Sequence, residues 1–465
     1  MLLALLGALA IVVTDHASVR STARSTATEL TTLWQGDVVE VRGEQAEYLK
    51  VYSYRRERGG YLRTEAVRQV AFTESDAPQL LAVLRFLRDT PGSEALGISY
   101  AAAYLKAAPP KAQTAEPFDA IGQMAERLAD TASGNGSQAV SVAARLEVVS
   151  QLGVRMRSFE RNGRMQVCYD GELYRNVLTQ PNATTEQRAH AALGLTRPEC
   201  IEPDLGPTAR AALDDERREM LDRTTDTGLT PLTRSRLRAR RAAVWSAVTY
   251  EQARRAQPSA ASAQRALAEL TAVRPADLGE SHQAEYVDAV LRVSAIRWAA
   301  AATVAQLGAF ALTTAPADPG QTCVTLEDTH RKATLARRCT YGIVWTASAQ
   351  LIQQAPAVVM SVQPLESWRE LWVFHQIGGK WLVDVLSPGL DEPDAGYVEF
   401  AGFAPATSRV LLVREVRERS RFRRWFEEVR LDDLVLVRQA STPELLRDFG
   451  RWQDVRWRRE TLALR

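Results

Sequence analysis

The pattern of apolar and polar positions divides the chain into a β-rich start, a long helical middle and a β-rich end. Short alternating segments separated by turns occupy residues 19–68, as is typical of strands. Over residues 76–315 apolar residues recur at helical spacing, interrupted by a strong β-hairpin signal at 154–169. Alternation then returns until about residue 440. The sequence therefore predicts a multidomain α+β protein.

An uncharged apolar run, Leu2 to Val13, precedes the first β segments. It is too short to cross a bilayer, which takes about 20 residues, and it fits the hydrophobic region of a secretory signal. Ala17 is the expected last residue of that signal, although Asp15 is unfavourable three positions before the cut. No basic residue precedes the run, which a wrongly assigned start codon would explain. The open alternative is a buried N-terminal strand or helix.

The first β segments carry a set of short motifs in a fixed order. They are Val19-Arg20, Leu33-Trp34-Gln35-Gly36-Asp37, Val38-Val39-Glu40-Val41, Tyr48-Leu49-Lys50-Val51-Tyr52 and Gly60-Tyr61-Leu62-Arg63. In this order the motifs resemble those of bacterial SH3-like (SH3b) domains, which are small β-barrels that often hold cell-wall peptides or partner proteins. The resemblance implies an SH3-like β-barrel at residues 18–72 and covers no other part of the chain.

The same module supplies the residues that we expect to bind a ligand. These candidates are Trp34, Tyr48, Tyr52, Tyr54, Arg55 and Arg56. Strand alternation places Leu49 and Val51 on the core face of their strand. Tyr48 and Tyr52, with Tyr54 beyond them, are then expected to be exposed. The two arginines would pair with carboxylates of a bound peptide.

The rest of the chain predicts two further domains, a helical one at 73–315 and a mainly antiparallel β domain at 322–465 with a terminal helix. Paired helices with short linkers are typical of helical hairpins, although without a clear repeat period an irregular helical domain is the alternative. The segments 402–405 and 409–412 weakly resemble a blade of TolB-like propellers. The region is too short for a complete propeller.

Four cysteines fall into two local pairs, Cys168 with Cys200 and Cys323 with Cys339. The even number and the local pairing predict two disulfides, as an oxidising compartment favours. The Cys-x-x-Cys spacing of many zinc sites is absent. Buried free thiols and a zinc site that uses His330 are the open alternatives.

Charge and motifs favour few classes of function. A net charge of +2 gives no long-range attraction to nucleic acid, and we expect the arginine-rich runs 234–241 and 417–424 to be solvated. The histidines stand alone in sequence, and neither a nucleophile elbow nor a phosphate-binding loop is present. The enzymatic alternative is a cell-wall hydrolase whose site assembles around His330 or His375 in the fold.

The sequence thus predicts an exported, periplasmic and non-catalytic protein of the bacterial cell envelope. Its SH3-like module would bind peptidoglycan or an envelope protein. We expect no cofactor, no metal, no nucleic acid partner and no transmembrane span in the mature chain. A purely structural interaction scaffold, in which the module packs against the helices and binds nothing, is the remaining alternative.

Overall fold

The computed structural model describes residues 8–134, 139–161, 163–301, 307–389, 395–418 and 421–458. In these residues the protein is a mixed α+β protein with antiparallel sheets at both ends and a helical middle region, as the sequence predicts. The first seven residues of the predicted signal peptide and Asn162 of the predicted hairpin turn lie outside the described residues.

The chain forms two compact units. The N-terminal unit comprises Met1–Gly206 and Arg223–Thr233, and the C-terminal unit comprises Pro207–Asp222 and Arg234–Arg465. The helical region at 73–315, which the sequence predicts as one domain, is therefore divided between the two units.

The N-terminal unit begins with a sheet of seven antiparallel strands. These strands are β1 (Ala8–Val12), β2 (Ala17–Arg20), β3 (Glu29–Leu33), β4 (Val38–Gln45), β5 (Tyr48–Ser53), β6 (Arg58–Arg63) and β7 (Val67–Val70). Their order across the sheet is β3-β2-β6-β5-β4-β1-β7. The first strand therefore lies inside the sheet, with β4 on one side and β7 on the other.

Strand β1 is part of the segment that resembles a secretory signal, yet it is buried on both faces. Ala10 and Val12 contribute to the core between the strands. Ile11 points the other way and packs among apolar side chains of the following helices. A strand buried on both faces has a continuous apolar sequence rather than an alternating one. The structure therefore favours the alternative of a buried N-terminal strand for these residues, while cleavage after Ala17 stays a prediction.

Six helices and one hairpin complete the main part of this unit. They are α1 (Ala77–Arg88), α2 (Glu94–Ala107), α3 (Glu116–Ser133), α4 (Ala139–Gln151), the hairpin of β8 (Met156–Arg161) and β9 (Arg164–Tyr169), α5 (Glu172–Thr179) and α6 (Thr185–Leu195). The hairpin confirms the signal at 154–169. One core joins α3 to its neighbours, with Met124 and Leu128 fully buried in it.

The remaining chain contains four long helices followed by strands. These elements are α7 (Pro207–Asp222), α8 (Pro231–Arg254), α9 (Ala260–Thr271), α10 (Glu280–Ile296), β10 (Phe310–Pro316), β11 (Thr322–Asp328), β12 (Ala333–Thr340), β13 (Ile343–Leu351), β14 (Val358–Leu365), β15 (Trp368–Ile377), β16 (Lys380–Leu386), β17 (Gly396–Ala404), β18 (Arg409–Glu418), β19 (Arg421–Arg430), β20 (Leu436–Ala440) and the terminal helix α11 (Arg447–Trp452). Among the described residues, no helix has both the length and the apolar character that crossing a membrane requires.

Two sheets form the end of the chain. The strands β10, β11 and β12 form one, and the other has the order β13-β14-β15-β17-β18-β19-β20, with β16 also paired to β15. Among the described residues of these sheets, the strands pair antiparallel except for a short parallel contact between β15 and β17. This arrangement confirms the mainly antiparallel C-terminal region.

The arginine-rich run 234–241 is partly buried, so the prediction that it is solvated is wrong for two of its arginines. Arg240 and Arg241 of α8 are both buried. The Arg240 Nε donates to Glu285 of α10 at 2.8 Å, and Arg241 Nη2 donates to the carbonyl oxygen of Leu221 at 3.0 Å. Acceptors on neighbouring helices replace water around these buried arginines.

Both predicted disulfides are present, Cys168 with Cys200 and Cys323 with Cys339, and there are no free cysteines. The free-thiol and zinc alternatives are therefore wrong for these four residues. The first bond joins β9 to the segment after α6, and the second joins directly opposed residues of β11 and β12.

Replacing Cys168 and Cys200 together by alanine is expected to lower the free energy of unfolding by about 3–4 kcal/mol, because the bond closes a loop in the unfolded chain. The two residues are 32 apart in sequence. Urea unfolding of the full chain measures the loss. Excess thiol reductant should open this loop and destabilise the wild type, whereas the double variant has no such loop to open. A double variant as stable as the wild type would contradict the prediction.

Candidate functional site

The predicted ligand-binding residues lie mainly at the tip of the hairpin formed by β5 and β6. The Glu57 N–H donates to the Tyr54 carbonyl at 3.3 Å and closes the turn, where Glu57 has a positive φ of 49°. The Arg56 N–H donates to the Ser53 hydroxyl at 3.3 Å. This turn brings Tyr54, Arg55 and Arg56 together at one end of the sheet.

Two of the predicted tyrosines form an accessible aromatic pair. The rings of Tyr52 and Tyr54 meet edge to face with centroids 5.1 Å apart, and Tyr54 is 65% exposed. The Arg42 guanidinium lies over the Tyr52 ring, 4.1 Å from its centroid. Glu40 accepts hydrogen bonds from Arg42 Nε at 2.8 Å and from the Tyr54 hydroxyl at 3.0 Å. We call these four residues the tyrosine patch.

The hydrogen bonds of the tyrosine patch also fix its charge. The bond from Arg42, and after it the bond from Tyr54, lower the pKa of the Glu40 carboxyl below its usual value. Glu40 is therefore ionised at neutral pH and holds both partners in place. The patch is preorganised, because its aromatic rings are already oriented before a ligand arrives.

Two adjacent glycines allow the strands to approach closely behind the patch. Gly59 lies opposite Tyr52, and a Cβ there would be 3.3 Å from the Tyr52 ring. A Cβ on Gly60 would be 2.5 Å from a methyl group of Val19 and 2.7 Å from the Arg20 carbonyl oxygen. Glycine at these positions therefore leaves room for the tyrosine ring and for the pairing of β2 with β6.

Tyr48 and Trp34 do not belong to the exposed surface. The prediction that Tyr48 is exposed is wrong: it is 5% exposed, and the Arg63 guanidinium lies over its ring at 5.9 Å. Trp34 is buried in the core shared with the helices, where Ile98 is another member, and the His16 ring lies 4.1 Å from it. Alternation gives the face on which a side chain lies but not what covers that face.

The two predicted arginines contact carboxylates of the protein itself. Arg55 Nε is 3.4 Å from Asp37 Oδ1. Glu147 Oε2 of α4 lies 3.6 Å from Arg55 Nη2 and 3.5 Å from Arg56 Nη2. Burial raises the pKa of Asp37 even though the Trp34 N–H donates to it and Arg55 is close. Pairing of these arginines with a ligand stays a prediction, and no pattern in the sequence indicates their contact with Glu147.

The two histidines of the hydrolase alternative lie in different surroundings. His375 Nε2 is 2.7 Å from Asp384 Oδ2, but the histidine side chain is 1% exposed whereas the aspartate is half exposed. A general base must reach its substrate, and in this pair the carboxylate rather than the imidazole faces water. His330 is exposed in the turn after β11, where its backbone N–H donates to Asp328 at 2.9 Å.

A third histidine lies in a cluster that the sequence did not indicate. His190 Nδ1 is 3.5 Å from Asp119 of α3, and its Nε2 is 3.6 Å from Glu186 of α6. Burial raises the pKa of Glu186, but hydrogen bonds from Thr233 and Thr230 outweigh it and the net pKa is lowered. The cluster connects helices through polar contacts within the N-terminal unit.

The part of the chain that the structure describes contains no group of three or more His, Cys, Asp or Glu side chains arranged to hold a metal ion. Comparison of the chain with protein-family models, with curated proteins and with solved structures found no match. Interpretation of the site therefore rests on the chemistry of the tyrosine patch and of the arginines beside it.

Proposed function

We propose that the protein is an exported, non-catalytic component of the cell envelope. In this proposal its N-terminal sheet is an SH3-like module that binds peptidoglycan or an envelope protein through the tyrosine patch. The two disulfides are compatible with an exported protein. The resemblance at residues 18–72 supports the choice of ligand class, because such domains often hold cell-wall peptides.

The rings of Tyr54, which is exposed, and of Tyr52, which is half-buried, carry this proposal. Large apolar side chains in the sheet are otherwise mostly buried, and Tyr54 is among the most exposed large hydrophobic residues of the described chain. Tyrosine supplies a large contact area at low cost in side-chain entropy and is common in binding surfaces. With Arg42 stacked on Tyr52, the tyrosine patch offers both an apolar surface and a charged hydrogen-bond donor to a peptide.

A purely structural role is the second candidate function. The burial of Trp34 and Ile11 among residues of the helices favours it, because both tie the sheet to the rest of the N-terminal unit. In that case the sheet would serve as a packing element. Binding by the tyrosine patch distinguishes the two roles, since the structural role does not require an exposed aromatic pair.

We expect the Tyr52→Ala/Tyr54→Ala double variant of the full chain to lose most of its binding to isolated peptidoglycan sacculi. Replacing a hot-spot residue by alanine typically costs about 2 kcal/mol or more of binding free energy, and this variant removes two contact tyrosines. The measurement is the bound fraction after sedimentation of the sacculi, over a range of protein concentrations. Far-UV circular dichroism checks that the double variant is folded.

The matched control is Tyr341→Ala, which removes another highly exposed tyrosine from the C-terminal unit. Its binding should equal that of the wild type. Equal binding by wild type and double variant would overturn the tyrosine patch as the docking surface. If neither binds sacculi, peptidoglycan is excluded, and crosslinking in envelope extracts with the same variants tests the envelope-protein ligand.

A further inference from the structure

Arg55 is a buried cation whose hydrogen-bonding groups are not satisfied. Its side chain is only 6% exposed, yet Nε, Nη1 and Nη2 make no hydrogen bond. The nearest carboxylate oxygens, on Asp37 and Glu147, lie at 3.4 and 3.6 Å. These distances allow ion pairing but exceed those of good N–H···O hydrogen bonds. A buried guanidinium is normally both paired and hydrogen-bonded, so this group lacks close acceptors.

Glu147 is shared between two arginines without a close contact to either. One of its oxygens lies 3.6 Å from Arg55 and 3.5 Å from Arg56. Its side chain is 48% exposed, so water competes for the carboxylate and weakens both ion pairs. A ligand carboxylate in the same place would be free to approach the two guanidinium groups at about 2.8 Å.

The surrounding charges keep Arg55 and helix α4 in place when Glu147 moves. Asp37 is buried and held by the backbone N–H of Trp34 at 2.8 Å, so it stays beside Arg55. Arg145, on the same helix as Glu147, pairs with Asp15 at 2.5 Å and anchors α4 to the sheet. Glu147 therefore needs only a change of side-chain rotamer to leave the arginines.

We propose that Arg55 and Arg56 form a carboxylate-binding site that Glu147 occupies in the free protein. A carboxylate of a peptide ligand takes the place of Glu147. Tyr54 precedes these arginines in the same turn, so the site is continuous with the tyrosine patch. The inference deepens the proposed function, on which it rests for the identity of the ligand as a peptide. Glu147 then acts as an internal competitor that lowers the affinity for carboxylates.

Isothermal titration of the full chain with N-acetyl-alanyl-alanine and with its C-terminal amide tests this site. The Glu147→Gln variant should bind the carboxylate probe about threefold to tenfold more tightly than the wild type, the range expected for removing a partly exposed ion pair. The amide probe should not show this gain. Adding Arg56→Gln to Glu147→Gln should abolish it, because one of the two guanidinium groups is then missing.

The matched control is Glu172→Gln, since Glu172 is also about half exposed and pairs with an arginine of the same unit at 2.7 Å. This variant should bind the probe like the wild type. No gain in Glu147→Gln, or an equal gain in Glu172→Gln, overturns the carboxylate site. Thermal unfolding should be nearly the same for all the variants, and Glu147→Ala should reproduce the gain.

The same proteins separate this inference from the proposed function. Tighter probe binding by Glu147→Gln together with no binding to sacculi or envelope proteins would support the carboxylate site and refute the docking function. Binding to sacculi that depends on Tyr52 and Tyr54, with no gain in Glu147→Gln, would support docking and refute the role of Glu147.

Discussion

Replacing Ile11 with aspartate is expected to unfold the sheet of the N-terminal unit. Ile11 is fully buried in β1 and packs with Leu80 and Tyr100 of the first two helices. Loss of a buried isoleucine side chain costs about 2–5 kcal/mol, and an unpaired carboxylate in the same place costs several more. Together these approach the roughly 5–15 kcal/mol that stabilise a whole domain.

Urea unfolding of the full chain, followed by far-UV circular dichroism and limited proteolysis, measures this effect. Thr14→Asp is the matched control, because Thr14 is exposed just beyond the strand and should tolerate the same charge. Unchanged unfolding of the Ile11→Asp variant would show that β1 is dispensable and would support cleavage after Ala17. The N-terminal mass of protein recovered from the producing cell gives an independent answer, because cleavage there removes the strand.

The apolar segment shows why the sequence alone left two interpretations open. A signal peptide and a strand buried on both faces both require a continuous run of apolar residues. Ala10 and Val12 lie in one core and Ile11 in another, so the periodicity that normally marks a strand is lost. Only the pairing of β1 with β4 and β7 distinguishes a strand from a signal peptide. Because these strands are far apart in the sequence, their pairing leaves no pattern within the apolar segment.

Many charged residues lie in the hairpin of β18 and β19. Of the run 417–424, which was expected to be solvated, Arg423 is exposed, whereas Arg417 Nη1 donates to Asp288 of α10 at 2.9 Å. Neighbouring charges of this hairpin pair across the strands: Arg409 with Glu428 at 2.7 Å and Arg414 with Glu427 at 3.0 Å. The polarity of these residues disfavours strands, but the cross-strand ion pairs stabilise them in the sheet.

Only those features of the candidate site that depend on residues close in sequence could be predicted. The core positions of Leu49 and Val51 follow from strand alternation, and both residues are fully buried as expected. The contact of Glu147 with Arg55 and Arg56 joins residues on separate elements. Such a contact depends on how α4 packs against the sheet, which spacing and alternation do not specify.

Replacing Glu399 with glutamine is expected to destabilise the C-terminal unit by about 3–5 kcal/mol at neutral pH, the cost of leaving a buried charge unpaired. The Arg369 side chain is fully buried, and its Nη2 donates to Glu399. Arg297 Nη2 lies 3.4 Å from the same carboxylate oxygen. Glutamine keeps the shape but removes the charge that balances the two arginines. The midpoint of urea unfolding measures the loss.

The effect of Glu399→Gln should depend on pH in a defined direction. Burial raises the pKa of Glu399, but Arg297 and Arg369 outweigh it and lower the pKa from its ordinary 4.5 to about 2. A carboxyl with a lowered folded-state pKa stabilises fully above its unfolded value and loses this contribution as pH falls toward the folded value. The stability difference between wild type and variant should therefore be constant above about pH 5 and shrink between about pH 4.5 and 2.

Two variants show whether charge carries this effect. Glu172→Gln, which removes an exposed partner of Arg155, should cost less than about 1 kcal/mol. Adding Arg369→Met to Glu399→Gln should recover part of the loss, because an apolar side chain needs no partner in the interior. A difference between wild type and Glu399→Gln that stays the same from pH 7 to pH 3 would show that altered packing, rather than the unpaired arginine, destabilises the variant.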